Sequence, residues 1–349
     1  MLRPFLIVGV GGSGGKTVRA IRQALRFRLE QEGWNKGIPQ GWQFLHIDSP
    51  TAQDGIEFPA PLMAQEDYLA LVPNGVTYAT IHDDVVDRIE PAFARDVRRS
   101  LPSPNEVKVP VYLGAGAYRA VGRTISAAAL DDIHDRVKAK VSLMQSPTAN
   151  SELQELSKSM GIQIAGAVSP TVILVSSVAG GSGAGMFMDV AEAIKAAIGP
   201  LPWVHQVFSI LFAPDVFEEL GPDKMRAMAP NALGAIAELV SGNYRRNPTD
   251  ATLALYRRYG LTVPSDTTYN LGPNFNYVIG RKNGNAKAVD FGSQQGVYLA
   301  AAQSVAAWMM DQKVQDSLSA YAVANFGAGA NGVRDATGLK RAKLDGQPL

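Results

Sequence analysis

The chain contains no cysteine in 349 residues. That excludes a disulfide framework, a thiolate metal centre and a cysteine nucleophile. Histidine is scarce as well: His46, His82, His134 and His205 complete the set, and their spacing offers no zinc site. Formal net charge is only +1, so no broad field draws the protein to nucleic acid or to an anionic membrane surface. No apolar run approaches the roughly 20 residues of a spanning helix. The apolar opening Phe5-Leu6-Ile7-Val8 is too short for a signal peptide and reads as a buried strand. A cytoplasmic protein without nucleic-acid or membrane partners is expected.

Composition is otherwise ordinary, with 46% hydrophobic and 19% charged residues, enough for a large α/β domain and an appendage. Three glycine-rich segments stand out. They are Gly9-Val10-Gly11-Gly12-Ser13-Gly14-Gly15, Gly114-Ala115-Gly116, and Gly180-Gly181-Ser182-Gly183-Ala184-Gly185. Each comes directly after a short apolar or β-branched run. Glycine lets backbone approach a ligand with no Cβ in the way, and N–H groups converging at a helix N-terminus make an anion site.

The periodicity predicts strands at 5–8, 43–47, 109–113, 171–178, 203–212 and 277–279. It predicts helices over 16–30, 119–144, 187–198, 225–241 and 294–324, with helical pieces between 78 and 101. In the first helix Val18, Ile21, Leu25 and Leu29 form an inward stripe, while Arg19, Arg22, Arg26 and Arg28 fall outside it. Residues 51–62 and 247–273 read as loop, and 146–159 as an excursion. Strands alternating with helices predict an α/β, doubly wound parallel sheet with a long central helix. All three glycine segments then lie at strand carboxyl ends, where such sheets bind ligands. The expected organisation is a nucleotide-binding domain over 1–290, the central helix over 291–325, and a linker or truncated second domain over 326–349.

Several chemistries compete for these loops. A dinucleotide site fits Gly9 to Gly14 in one register, but the acid expected about 20 residues on is missing; the first strand-end acid is Asp48. A P-loop would use Gly15-Lys16-Thr17, yet its first glycine would fall on Val10. A serine-hydrolase elbow around Ser13 lacks a histidine partner. The second loop alone is explained by a tight turn. Four glycines in six residues at the third are harder to explain without a ligand, given their entropic cost.

From Ala179 to Gly185 the third loop resembles the G-G-G-T-G-[ST]-G signature of the tubulin/FtsZ superfamily, with Ala179 for the first glycine and Ser182 for threonine. The first loop is similar to the glycine-rich opening of FtsZ, with Lys16 where FtsZ commonly has asparagine. Asp48 ends the second strand, as does the acid of FtsZ's Asn-Thr-Asp turn. The stretch Leu113 to Arg123 resembles the FtsZ loop facing the γ-phosphate. Ala213-Pro214-Asp215 sits where the family contacts ribose, and Pro230-Asn231-Ala232 resembles the tubulin stretch whose asparagine reads guanine; Asn283 is a weaker base-contact candidate. Bacterial tubulin-like proteins are the nearest match in pattern.

The resemblance implies GTP or GDP with Mg²⁺ as cofactors, head-to-tail association into a homo-oligomer or filament, and hydrolysis on assembly. An unidentified protein partner reading an idle nucleotide-bound scaffold is the alternative, and an NAD-dependent oxidoreductase a further one. It implies phosphate contacts at Gly11, Gly12, Ser13, Gly14, Lys16, Gly114, Ala115, Gly116, Arg123, Gly180, Gly181, Ser182, Gly183, Ala184 and Gly185. Asp48 is placed to hold a Mg²⁺-bound water or to cap a loop; no direct metal ligand is assigned. Helix N-termini near Lys16 and Met186 would favour the negative charge. Ribose contacts fall to Pro214 and Asp215, and Asn231 either reads a purine or caps a helix it begins. Gly183→Val is accordingly expected to cost nucleotide affinity with the fold kept. No catalytic residue is assigned: residues 325–331 carry no carboxylate, and Asp335 is the nearest acid.

Overall fold

The computed structural model describes residues 1–88, 95, 98–163, 168–199, 201–244, 256, 271–282 and 290–322. Within them β1 (Phe5–Val10) runs straight into α1 (Gly11–Gln31), and β2 (Trp42–Asp48) and β3 (Tyr68–Ala70) come after it. Next are α2 (Tyr78–Arg88), α3 (Arg119–Ala128), α4 (Leu130–Met144) and α5 (Pro147–Ser159). The second half holds β4 (Thr171–Ser177), α6 (Ser182–Ile198), β5 (Val207–Phe212), α7 (Pro222–Tyr244), β6 (Phe275–Ile279), α8 (Gln294–Met310) and α9 (Gln312–Ala322).

The six strands form one sheet, ordered β3-β2-β1-β4-β5-β6, with every pairing parallel. Strand residues alternate between two cores. Phe5 and Ile7, with Phe208 and Phe212, pack under α1 and α8 through Val18, Ile21, Tyr298 and Val305. Leu6, Val8 and Val10 face the opposite layer, built from Ile125 of α3, Val137 of α4 and Phe187 of α6. Helices on both faces explain why the strands read as continuous apolar runs instead of alternating ones. The strand order reverses between β1 and β4, so the crevice at their carboxyl ends is the topological switch point. The α/β, doubly wound parallel sheet is therefore present as expected.

Several local expectations are corrected. Residues 109–113 form no strand: Pro110 has no N–H to give a ladder, and Val111–Leu113 is a 3-10 turn whose Leu113 amide donates to the Pro110 carbonyl. The long helix over 119–144 is two helices, interrupted at Ala129, whose amide donates to the Ser126 carbonyl only three residues back, while the Ser126 hydroxyl turns to the buried Asp189 carboxylate. The central helix is also divided. Asp311 accepts from the Lys313 and Val314 amides and so caps α9 as a new helix. The excursion at 146–159 is α5, capped by the Ser146 side chain on the Ala149 amide. Arg19 is buried, not outward, because its guanidinium holds the Asp54 and Gly55 carbonyls.

Asn283, Asp335, residues 325–331 and most of 247–273 lie outside the described residues. Among the described residues no helix is long and apolar enough to cross a membrane.

Candidate functional site

The three glycine segments meet. Gly11 begins α1 in the left-handed region at φ 71°, and a Cβ there would stand 2.7 Å from the Gly183 amide nitrogen. A Cβ on Gly181 would run into the Gly116 carbonyl, and one on Gly122 into the Gly181 carbonyl. First touches third, and third touches second, backbone against backbone. The helices begin earlier than the periodicity suggests, at Gly11 and Ser182 and not near Lys16 and Met186. The glycines are thus the first helical turns themselves, and their free amides lie at the positive ends of α1 and α6.

Ser182 joins three segments. Its hydroxyl lies 3.1 Å from the Ser49 hydroxyl, and the Ala115 amide donates to it at 3.4 Å. Ser13 receives the Tyr298 hydroxyl at 2.9 Å, and Gln294 donates to Tyr298 at 2.6 Å, so α8 is tied to the first loop. Tyr298→Phe is expected to cost about 1 kcal/mol of stability, since it leaves Ser13 and Gln294 without their partner. Urea denaturation checks this; an unchanged midpoint would mean the hydroxyl does not support the helix.

Charge gathers beside the first loop. Lys16 pairs with Asp54 at 3.2 Å, and a Cβ on Gly12 would stand 2.8 Å from the same carboxylate. Beneath them Asp48 and His46 are buried, with His46 Nε2 3.8 Å from Asp48 Oδ2, beyond hydrogen-bond reach. Burial pushes the Asp48 carboxyl up to about 7, against the Ser49 amide that bonds it at 2.7 Å. Burial likewise holds the His46 imidazole down at about 4. Gly15 has no side chain because the His46 ring occupies that space.

The remaining expected residues divide. Gly114 and Gly180 face open space: a Cβ on either meets nothing within 4 Å. Gly14, Gly183 and Gly185 instead press on the Val175 carbonyl, the Ser176 hydroxyl and the Arg119 carbonyl, so their smallness serves packing. Ala184 is buried in the core beside them. Arg123 lies on the fully buried Asp189 at 2.7 Å and within 3.7 Å of Glu238, so its charge is already matched inside the protein. Asp215 accepts the Arg281 amide at 2.7 Å and closes the turn after β6. Pro214 opens the 3-10 segment Pro214–Leu220, and among the described residues no hydrogen bond links it or Asp215 to the loops.

Asn231 begins no helix; it lies inside α7, directly after Pro230. Its amide donates to the Ala117, Ala179 and Gly180 carbonyls. Ser49, Asp54 and Tyr298 were not singled out from the sequence. Only the position of Ser49, next to the strand-end acid, carries a hint of its place.

A family model described as "Tubulin like" matches residues 6–344. No protein of curated function matches the chain. Among solved structures, CetZ2 from Haloferax volcanii, in a GTPγS-bound protofilament, is 14% identical with TM-score 0.43, over 90% of this chain and 62% of that one. CetZ from Methanosaeta thermophila is 12% identical with TM-score 0.37, over 99% and 61%. TubZ from Bacillus thuringiensis serovar israelensis, in a GTPγS-form protofilament, is 14% identical with TM-score 0.35, over 87% and 55%. The chain thus spans about three fifths of the length of the solved structures it matches.

Proposed function

The chain belongs to the tubulin-like family, and from that premise we propose that it binds GTP or GDP and associates with itself head to tail, with the nucleotide at the contact between subunits. The observation that carries this reading is the convergence of three glycine segments on the switch-point crevice, with two helix N-termini opening into it. Amides of the first turns of α1 and α6 would take phosphate oxygens, and Ser13 and Ser182 would add hydroxyls. The sheet order alone does not separate this from a dinucleotide site, because one fold hosts many ligands.

Mg²⁺ suits the carboxyl groups beside the first loop. Asp54, half exposed, would face the ion, and Asp48 would hold a water bound to it once its buried carboxyl has lost its proton. Bound there, the ion would neutralise phosphate charge. Lys16 would then exchange Asp54 for a phosphate oxygen. Residues 1–290 would form the nucleotide-binding unit, and 291–325 the helical segment at its carboxyl end.

Turnover would be slow and assembly-dependent, because a head-to-tail contact completes a site from two subunits. The missing carboxylate in residues 325–331 favours a second reading, a nucleotide-bound scaffold that does not hydrolyse and is read by a partner protein. Calorimetry with Mg²⁺ is expected to give a Kd on the order of 1 μM for GTP, and no binding of ATP or NAD. The reverse preference would reject the proposal. GTPase activity per subunit that rises with protein concentration supports assembly; bound GTP with no turnover at any concentration supports the scaffold.

A further inference from the structure

Asn231 belongs to none of the three glycine segments, yet its side chain holds two of them. One planar amide nitrogen stands 2.8 Å from the Ala117 carbonyl, 3.1 Å from that of Ala179 and 3.4 Å from that of Gly180. Ala117 ends the second loop, and Ala179-Gly180 opens the third. Two N–H groups thus serve carbonyls from two separate chain segments, and only a primary amide of this length supplies both.

The second loop needs such a tether. It comes after a 3-10 turn and not a strand, so no sheet ladder holds its entry. Gly114 lies at φ 131° and Gly116 at φ 58°, a backbone that only glycine adopts freely and that is costly to order. Besides Asn231, the one side chain among the described residues that bonds this loop is Ser182, at a long 3.4 Å. Helix α7, which carries Asn231, is itself seated on α3 through Glu238, whose carboxylate pairs with Arg119 and lies 3.7 Å from Arg123. Gly234 lies against Arg119 at the same contact.

We propose that Asn231 is a positioning residue: its amide fixes the spacing of the second and third glycine loops, so that a polyphosphate meets donors already in place. This rests on the nucleotide-binding reading above. Ordering the loops before the ligand arrives spares the ligand that entropic loss, which is how preorganisation raises affinity.

Asn231→Asp keeps the shape, removes both donors and sets a carboxylate against three carbonyl oxygens. Asn231→Ala removes the donors without repulsion and serves as the second variant. Hydrogen–deuterium exchange on the nucleotide-free full chain is expected to quicken about tenfold at residues 113–118 and 178–181 in both variants, while β4 and β5 amides stay as slow as in the unmodified protein. Titration with a fluorescent GTP analogue is expected to show affinity about tenfold weaker. Unchanged exchange in those two segments would overturn the clamp. Faster exchange with unchanged affinity would overturn its service to the ligand. If the unmodified protein itself binds no GTP, the functional reading and the ligand half of this proposal fail together, and the exchange comparison still decides the clamp.

Discussion

Replacing Gly183 with valine is expected to destabilise the fold severely, whereas valine at Gly180 is expected to leave the fold and weaken the proposed nucleotide binding. A Cβ on Gly183 would lie 2.7 Å from Ser176 Oγ, 3.1 Å from the Val10 carbonyl and 3.4 Å from the Ser177 amide. Ser176 donates to the Val10 carbonyl at 3.1 Å, joining the ends of the two central strands. Valine adds two methyl groups beyond that Cβ, so the cost should exceed about 4 kcal/mol, a large share of a typical domain's stability. The expectation that Gly183→Val spares the fold is therefore reversed. Gly180 has no neighbour within 4 Å of a Cβ and needs no left-handed backbone, so a Cβ there meets no protein atom. Its branched side chain would instead fill the space between loops. GTP affinity should fall roughly a hundredfold, ~2.7 kcal/mol, with a thermal midpoint within a few degrees of the unmodified protein. Circular dichroism and a GTP titration on both variants read the contrast. A folded Gly183→Val would mean that α6 does not press on the strand ends, and tight binding by Gly180→Val would place the phosphates elsewhere.

Much of this arrangement was legible because central parallel strands must be apolar throughout. Phe5–Val10 and Thr171–Ser177 announce themselves, and each leads at once into glycine, so the switch point was readable with its loops. The family membership was legible in the third loop, whose motif is long enough to be specific. What failed were inferences from apolar spacing alone. Val109, Val111 and Leu113 look like a strand until Pro110 is weighed as a missing donor. Edge strand β3 is three residues long and gave no period to detect. The break at Asp311 comes from one side chain returning to nearby backbone and that at Ala129 from a tight backbone turn, neither of which a helical stripe reveals. Arg19 looks like a surface residue by its charge, and only the loop carbonyls folded over it explain its burial. The same limit applies within the site. A run of glycines shows that side chains are absent, but not whether a ligand or a neighbouring strand requires their absence. Gly180 and Gly183 are indistinguishable in sequence and differ in what stands beside them.

The pair beneath the first loop leads to an expected result in the pH dependence of stability. Asp48 is held up at about 7, first by burial, then by the charge of Asp54, against its bonds to Ser49 and Ser182. The native carboxyl therefore keeps a proton, between about pH 4 and 7, that the unfolded chain has released. Its contribution is present in acid and lost as pH rises through that window. His46 runs the other way. Held down at about 4 by burial, it stays neutral where the unfolded imidazole, titrating near 6.5, is charged. Its contribution is present at neutral pH and lost as pH falls from about 6.5 to 4. Each slope is about 1.4 kcal/mol per pH unit, and the two oppose one another across nearly the same range. The unmodified protein should therefore show little net slope from this pair. Asp48→Asn removes the carboxyl and leaves the histidine unopposed, so its stability relative to the unmodified protein should grow by about 4 kcal/mol between pH 4 and 7. His46→Leu removes the imidazole and leaves the carboxyl unopposed, with relative stability falling by about 3 kcal/mol between pH 4 and 6.5. Urea denaturation at half-unit pH steps measures both difference curves, from which every other titrating group cancels. Two flat curves would mean that neither group is held in its neutral form under the loop; two curves of opposite slope would mean that below about pH 7 the first loop rests on an uncharged floor, leaving Lys16, Asp54 and the helix ends as the charges beside it.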